Sequence, residues 1–209
     1  MAKRVLCYGD SNTWGHIPET GGRYAPEVRW PGVLQTELGS HYTIIEEGLC
    51  GRTTVWDDPI EGYKNGRDYL IPCLASHKPL DLVIIMLGTN DLKHRFALTA
   101  YDIAEGVGVL VDIVRTSATG PDGAGPAVLL LVPPPITTLS DYADMFRGAV
   151  DESQRLASQY ARIAQAKGCA LLDVGTVLTS SPIDGVHFAP EGHRALGMAV
   201  AERVRALHL

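Results

Sequence analysis

Residues 80–87, LDLVIIML, constrain the fold of this chain more than any other stretch. The run is only a strand's length, nearly all apolar and rich in branched side chains. It offers no solvent face, so as a strand it must be covered on both sides. Strands of that kind belong to parallel sheets with helices above and below. The rest of the chain supplies matching parts. Residues 3–8, 42–47, 127–132 and 169–174 are four further short apolar runs, most of them closed by Gly or Pro. Between and after the five runs lie segments of helical spacing: 26–38, stopped by Gly39; 68–76; 99–117; 142–167, stopped by Gly168; and 190–207. Strict alternation of strand and helix predicts an α/β fold: a three-layer α/β/α sandwich around a five-stranded parallel sheet. Right-handed crossovers favour the strand order 2-1-3-4-5. No break in composition divides the 209 residues, so residues 1–209 read as a single domain.

Parallel strands end on one rim, and ligands of open α/β sheets bind there. The residues that fall on this rim carry chemistry. The first strand ends in Gly9-Asp10-Ser11, the second runs on to Cys50-Gly51, and the third ends in Gly88-Thr89-Asn90-Asp91. The fifth leads to Asp184-Gly185-Val186-His187. A serine hydroxyl is a weak nucleophile until a positioned imidazole takes its proton. Ser11 and His187 are therefore expected to meet, with Asp184, three residues away, orienting the ring and stabilising its cation. The oxygen that turns negative during acyl transfer needs fixed donors. Asn90 offers a side-chain N–H, Gly51 a backbone N–H free of any Cβ, and Ser11 its own N–H. Asp10, Trp14 and Cys50 adjoin these groups and are candidates for contact with substrate. Cys50 has no neighbouring base and is not expected to act as a nucleophile. The segments 16–24 and 133–141, rich in Gly, Pro and polar residues, are placed to wrap the site or to build subunit contacts.

Composition excludes several alternatives. Apolar residues at 45% and charged residues at 20% are those of an ordinary globular domain, and the formal net charge of −6 argues against nucleic acid or an anionic membrane as partner. The one basic cluster, Lys93-His94-Arg95, reads as a solvated loop. No secretory signal and no membrane span is visible, which makes the cytoplasm the expected compartment. The four cysteines are scattered and read as free thiols. A glycosidase would need two facing carboxylates, but Glu46 and Glu47 are successive strand residues pointing to opposite sides, and Asp57-Asp58 reads as a solvent-facing loop. A metal hydrolase built on His187 and His193 lacks a third ligand at suitable spacing.

The four blocks Gly9-Asp10-Ser11, Gly51, Gly88-Thr89-Asn90-Asp91 and Asp184-x-x-His187 resemble the SGNH hydrolases, also called GDSL esterases, over essentially the whole chain. Arg29-Trp30, residues 46–49 (EEGL), Arg52-Thr53-Thr54 and residues 82–91 resemble the bacterial arylesterase/acyltransferase branch of that family. The resemblance implies the SGNH hydrolase fold. It implies Ser11 as nucleophile, Asp184 and His187 as its partners, and Ser11, Gly51 and Asn90 as the oxyanion hole. It further implies short-chain esters, chiefly acetyl esters of aryl alcohols or sugars, with acyl transfer beside hydrolysis, higher-order homo-oligomers, no cofactor and no metal. Two departures stand out. Asn12 replaces the usual Leu after the serine, and Glu46 replaces an Asn before the glycine block, which bears on how the Gly51 loop is braced. The rival from another class is a non-catalytic, flavodoxin-like small-molecule binding module. It would want phosphate at the first loop, where Asp10 puts a negative charge.

Overall fold

A computed structural model describes residues 2–209. Its five strands are β1 (Lys3–Gly9), β2 (Tyr42–Gly48), β3 (Leu82–Met86), β4 (Ala127–Val132) and β5 (Ala170–Asp173). They form one parallel sheet in the order β2-β1-β3-β4-β5, the topology expected from the alternation. β1 lies between β2 and β3, with Val5 opposite both Ile44 of β2 and Leu82 of β3.

The apolar run of β3 is divided between two cores. Leu82, Ile84 and Met86 join Val5, Cys7, Leu129 and Leu131 under helices α2 (Trp30–Leu38) and α6 (Pro190–Arg205). Val83 and Ile85 face the other way, with Leu6, Tyr8 and Leu130, under α3 (Gly66–His77), α4 (Ala100–Thr116) and α5 (Ala149–Lys167). All five β3 side chains are buried. At about 1.5–3 kcal/mol for each large aliphatic group taken out of water, this strand contributes on the order of 10 kcal/mol to the drive to fold.

Two helices are shorter than their apolar spacing suggests. The 26–38 segment is helical only from Trp30, because Pro31 fits a first turn while residues 25–29 form a separate turn. The 142–167 segment is helical only from Ala149. Residues 142–148 form turns closed by Gly148 at φ +85°, a conformation that breaks a right-handed helix. A single helical turn that apolar spacing does not mark, α1 (Ser11–Trp14), follows β1 immediately. It packs so tightly on the sheet that a Cβ on Gly9 would lie 2.1 Å from Thr13 Oγ1, and one on Gly48 would lie 2.2 Å from the Trp14 nitrogen. Those two glycines, the last residues of β1 and β2, therefore let the Ser11 turn sit on the sheet rim. Among the described residues no helix is long and apolar enough to cross a membrane.

Candidate active site

Asp10 starts the Ser11 turn. Its Oδ1 accepts from the Asn12 N–H at 3.0 Å, and its carbonyl accepts from Thr13 and Trp14. The cap turns the chain sharply enough to hold Ser11 at the carboxyl end of β1. Across the rim, Asp184 organises the loop after β5. Its Oδ1 accepts from the backbone N–H groups of Val186 and His187, both at 2.9 Å, while Oδ2 lies 2.6 Å from His187 Nδ1. Gly185 makes the bend at φ +76°, where a Cβ would lie 2.6 Å from the Thr138 carbonyl oxygen. The other ring nitrogen, His187 Nε2, is 2.9 Å from Ser11 Oγ. Residues 176 positions apart thus share one hydrogen bond, with both side chains nearly buried.

The electrostatics suit proton transfer. Burial pushes the Asp184 carboxyl up, but hydrogen bonds from the His187 ring and the His187 and Val186 N–H groups outweigh it and hold the group below its usual 3.8. Asp184 is therefore an anion at neutral pH, facing Nδ1 and leaving Nε2 as the acceptor of a proton. Ser11, Gly51 and Asn90 line one cavity with His187, of about 210 Å³. Asn90 donates from Nδ2 to the Arg52 carbonyl at 3.2 Å, which fixes its amide plane. The backbone N–H groups of Ser11 and Gly51 donate to no protein group among the described residues.

The chain matches the model of the GDSL-like Lipase/Acylhydrolase family over residues 7–195. The chain belongs to the GDSL-like lipase/acylhydrolase family. No protein among the curated sequences matches it. Among solved structures it is similar to the native aryl esterase of M. smegmatis, with 47% identity and a TM-score of 0.94 over 99% of this chain and 100% of that one. It is also similar to Est24, a carbohydrate acetylesterase from Sinorhizobium meliloti, with 44% identity and a TM-score of 0.95 over 98% and 99% of the two chains. A member of the lipolytic G-D-S-L family from Veillonella parvula, 16% identical with a TM-score of 0.68 over 96% and 97% of the two chains, shares the fold. As an acylhydrolase the protein is a carboxylic ester hydrolase acting on a small-molecule ester, and nothing favours the non-catalytic binding module.

Other sequence-level candidates take different places in this acylhydrolase. Cys50 lines the cavity, but burial, then the nearby Asp10, pushes its thiol up, so it stays protonated. Asp10 does not face the cavity. It is buried beneath the Ser11 turn as that turn's cap, and burial pushes its carboxyl up to about 6. Trp14 also lies outside the cavity wall, with its ring under the Arg23 guanidinium. His193 is in the core beneath α2, accepting the Trp30 N–H at Nδ1, and His187 clusters instead with His16 and Asp184. The two departures from the family pattern now have structural roles. Asn12 donates to the Val186 carbonyl at 3.3 Å and so ties the serine turn to the histidine loop. Glu46 pairs with Arg29 at 2.9 Å, on the face away from Glu47, and does not brace the Gly51 loop. Arg52 does that instead, donating from Nη1 to the carbonyls of Gly9 and Glu47, with its guanidinium 4.1 Å over the Tyr8 ring.

Two expectations are overturned. Lys93-His94-Arg95 is not a solvated loop, because the Lys93 side chain is only 3% exposed and pairs with Glu61 and Asp58. Asp58 does not face solvent either. It is buried, with Oδ1 3.1 Å from Arg95 Nη1 and accepting from the N–H groups of Ile60 and Glu61. The cluster joins the loop after β2 to the loop after β3, and its members Glu61 and Lys93, with Lys64, form a polar wall of the cavity. The opposite wall is Tyr142, Met145, Phe146 and Val186. Apart from Val186 and Lys93, which adjoin motif blocks, these wall residues come from loops without a motif and do not stand out in the sequence. Nor does volume mark the site: a larger hollow of about 750 Å³, lined by Tyr63, Tyr69 and Asp57, holds no serine or histidine.

Proposed function

We propose that this protein is a serine esterase that cleaves short-chain, acetyl-type esters of aryl alcohols or carbohydrates through an acyl-enzyme on Ser11. The single observation that carries the reading is the chain of contacts from Ser11 Oγ to His187 Nε2 at 2.9 Å and from His187 Nδ1 to Asp184 at 2.6 Å. His187 accepts the Ser11 proton as Oγ attacks the ester carbon, and Asp184 stabilises the imidazolium that forms. The carbonyl oxygen, now negative, takes hydrogen bonds from the Ser11 and Gly51 N–H groups and Asn90 Nδ2. Collapse breaks the bond to the alcohol oxygen, which leaves with the proton from His187. Water, or a second alcohol, then gives its proton to His187 and attacks the acyl-enzyme, so hydrolysis and acyl transfer share the intermediate.

The cavity of about 210 Å³ supports a small acyl group, and its polar wall of Glu61, Lys64 and Lys93 can hydrogen-bond a hydroxylated alcohol. The similar proteins described as an aryl esterase and a carbohydrate acetylesterase support the same substrate range. The reading includes a single domain over residues 1–209, a cytoplasmic location and a higher-order homo-oligomer. The exposed apolar side chains Ile60, Tyr63 and Ile71 support association of copies, which light scattering tests.

A panel of p-nitrophenyl acetate, p-nitrophenyl octanoate and acetylated xylose, with and without an alcohol acceptor, tests the main reading. Acetyl esters should turn over, octanoate poorly, and Ser11→Ala should fall to background. Equal rates for Ser11→Ala and wild type, or preference for octanoate, would refute it.

A further inference from the structure

The function above uses one imidazole, but the site holds two. The His16 ring lies against the His187 ring with centroids 4.0 Å apart and planes tilted by 36°. Tyr142 meets the His187 ring edge-on at 6.0 Å. His16 is held in place by its own backbone: its N–H donates to the Ser11 carbonyl at 3.0 Å, and it bridges to Arg23 across a short antiparallel pair. Its position is therefore referenced directly to the residue that carries the nucleophile. His16, half-buried, also lines the cavity.

We propose that His16 is a positioning residue for the ester hydrolysis: as a neutral ring it backs the His187 imidazole and keeps Nε2 on Ser11 Oγ, and as a cation it would oppose the imidazolium that the reaction forms. The inference rests on the serine-esterase reading. A ring in face contact restricts rotation of its neighbour, and an aromatic face attracts the positive charge that His187 acquires after taking the serine proton. A charged neighbour at the same distance does the reverse, because two positive charges about 4 Å apart inside a protein repel strongly.

The surroundings keep His16 neutral at ordinary pH. Burial, then the nearby His187, lowers its pKa below 6.5, against an opposing pull from Asp184. The other titratable or charged groups around the two rings are Asp10 beneath the Ser11 turn, Cys50, Glu61 and Lys64 from the loop after β2, Lys93 from the loop after β3, Tyr142 from the segment after β4, His193 from α6, and Arg23 and Tyr24 from the segment of His16 itself. Glu61 is committed to Lys93, and Arg23 to Glu46, so Asp184 is the anion nearest both imidazoles.

The test compares His16→Ala, His16→Phe and His16→Lys with wild type on p-nitrophenyl acetate, measuring kcat, KM and the acid limb of kcat/KM, which reports the base of the free enzyme. His16→Ala should lose about tenfold in kcat with KM changed less than threefold, since ring orientation rather than substrate contact is lost. His16→Phe should recover most of that loss, because a phenyl face can back the imidazole. His16→Lys should move the acid limb down by about one pH unit or more, as a fixed cation makes His187 harder to protonate. A His16→Ala enzyme with wild-type kcat, or an acid limb unmoved by His16→Lys, would overturn the proposal. Failure of the esterase reading has a different signature, a wild type no faster than Ser11→Ala.

Discussion

Replacing Asp184 by Asn isolates one charge while keeping almost every atom in place. The carboxylate serves three donors: Oδ1 accepts from the Val186 and His187 N–H groups, and Oδ2 faces His187 Nδ1. An amide can keep the first two contacts through its oxygen, so the loop should retain its shape. Its NH₂ group then points at Nδ1 from 2.6 Å and forces that nitrogen to accept. The ring proton moves to Nε2, the atom that should accept from Ser11, so the favoured tautomer is the inactive one. The stabilising charge is lost as well. An anion and an imidazolium with centres about 4 Å apart attract by about 4 kcal/mol at an effective dielectric constant of 20, or roughly a thousandfold in rate. With the tautomer penalty added, kcat on p-nitrophenyl acetate should fall by about 10³–10⁴ while the melting temperature changes little. Asp184→Ala gives the contrast. It leaves two buried N–H groups without acceptors, at about 1–3 kcal/mol each, and should destabilise the fold as well. The carboxyl also has a pH signature. Its pKa is depressed in the folded state, so its stabilisation is present above the ordinary value of 3.8 and fades as pH falls through the lower folded value. Asp184→Asn should lack that acid dependence. A loss of less than about tenfold in kcat, in a variant that melts like wild type, would show that Asp184 does not act through His187.

Other consequences can be checked separately. Asn90→Ala should lower kcat by about 10²–10³ with a much smaller change in KM, measured under saturating acetyl ester, because its donor matters most once the oxygen is negative. Lys93→Met leaves Asp58 and Glu61 sharing only Arg95, and should cost about 3 kcal/mol in urea unfolding; a loss below about 1 kcal/mol would mean that Arg95 alone neutralises the pair. Burial lowers the His193 pKa from 6.5 to about 4, so the unfolded chain takes a proton that the folded one refuses. Stability from this residue is full above pH 6.5, declines between 6.5 and about 4, and is flat below. His193→Gln, whose amide oxygen can still accept the Trp30 N–H, should remove roughly 3 kcal/mol of that decline, seen as the difference from wild type in unfolding at pH 7 and pH 4.5.

Much of the architecture was legible because its causes are local or periodic. A doubly covered strand such as Leu82–Met86 has to be continuous in its apolar residues, and that leaves a mark in any sequence. Handedness and alternation then leave few ways to order five strands, and the observed order is the one they favour. The rim followed from the same logic, since loops after parallel strands share an edge wherever they lie in the chain. Element ends were less legible. Apolar spacing continues through residues 142–148, but Gly148 adopts a left-handed conformation that stops the helix short, and spacing does not encode that angle.

The residues that shape the site without belonging to a motif could only be found in three dimensions. Lys93 and Asp58 read as solvent-facing because charged side chains usually are. Each is buried because a partner of opposite charge arrives from another loop, and the separation of Asp58 from Lys93 in sequence says nothing of it. Asp10 lies beside the serine in the chain and still faces away from the cavity, since capping the Ser11 turn requires its carboxylate underneath. His16 looked like the start of a loop excursion, yet the turn at Gly15 folds it back over a histidine from the far end of the chain. The sheet, its rim and the residue types delivered there follow from the order of residues alone, because backbone periodicity and strand direction are properties of the chain. Tertiary structure decided which of those groups touch, which charges are paired and what walls the cavity, because these depend on distances between segments that no local pattern records.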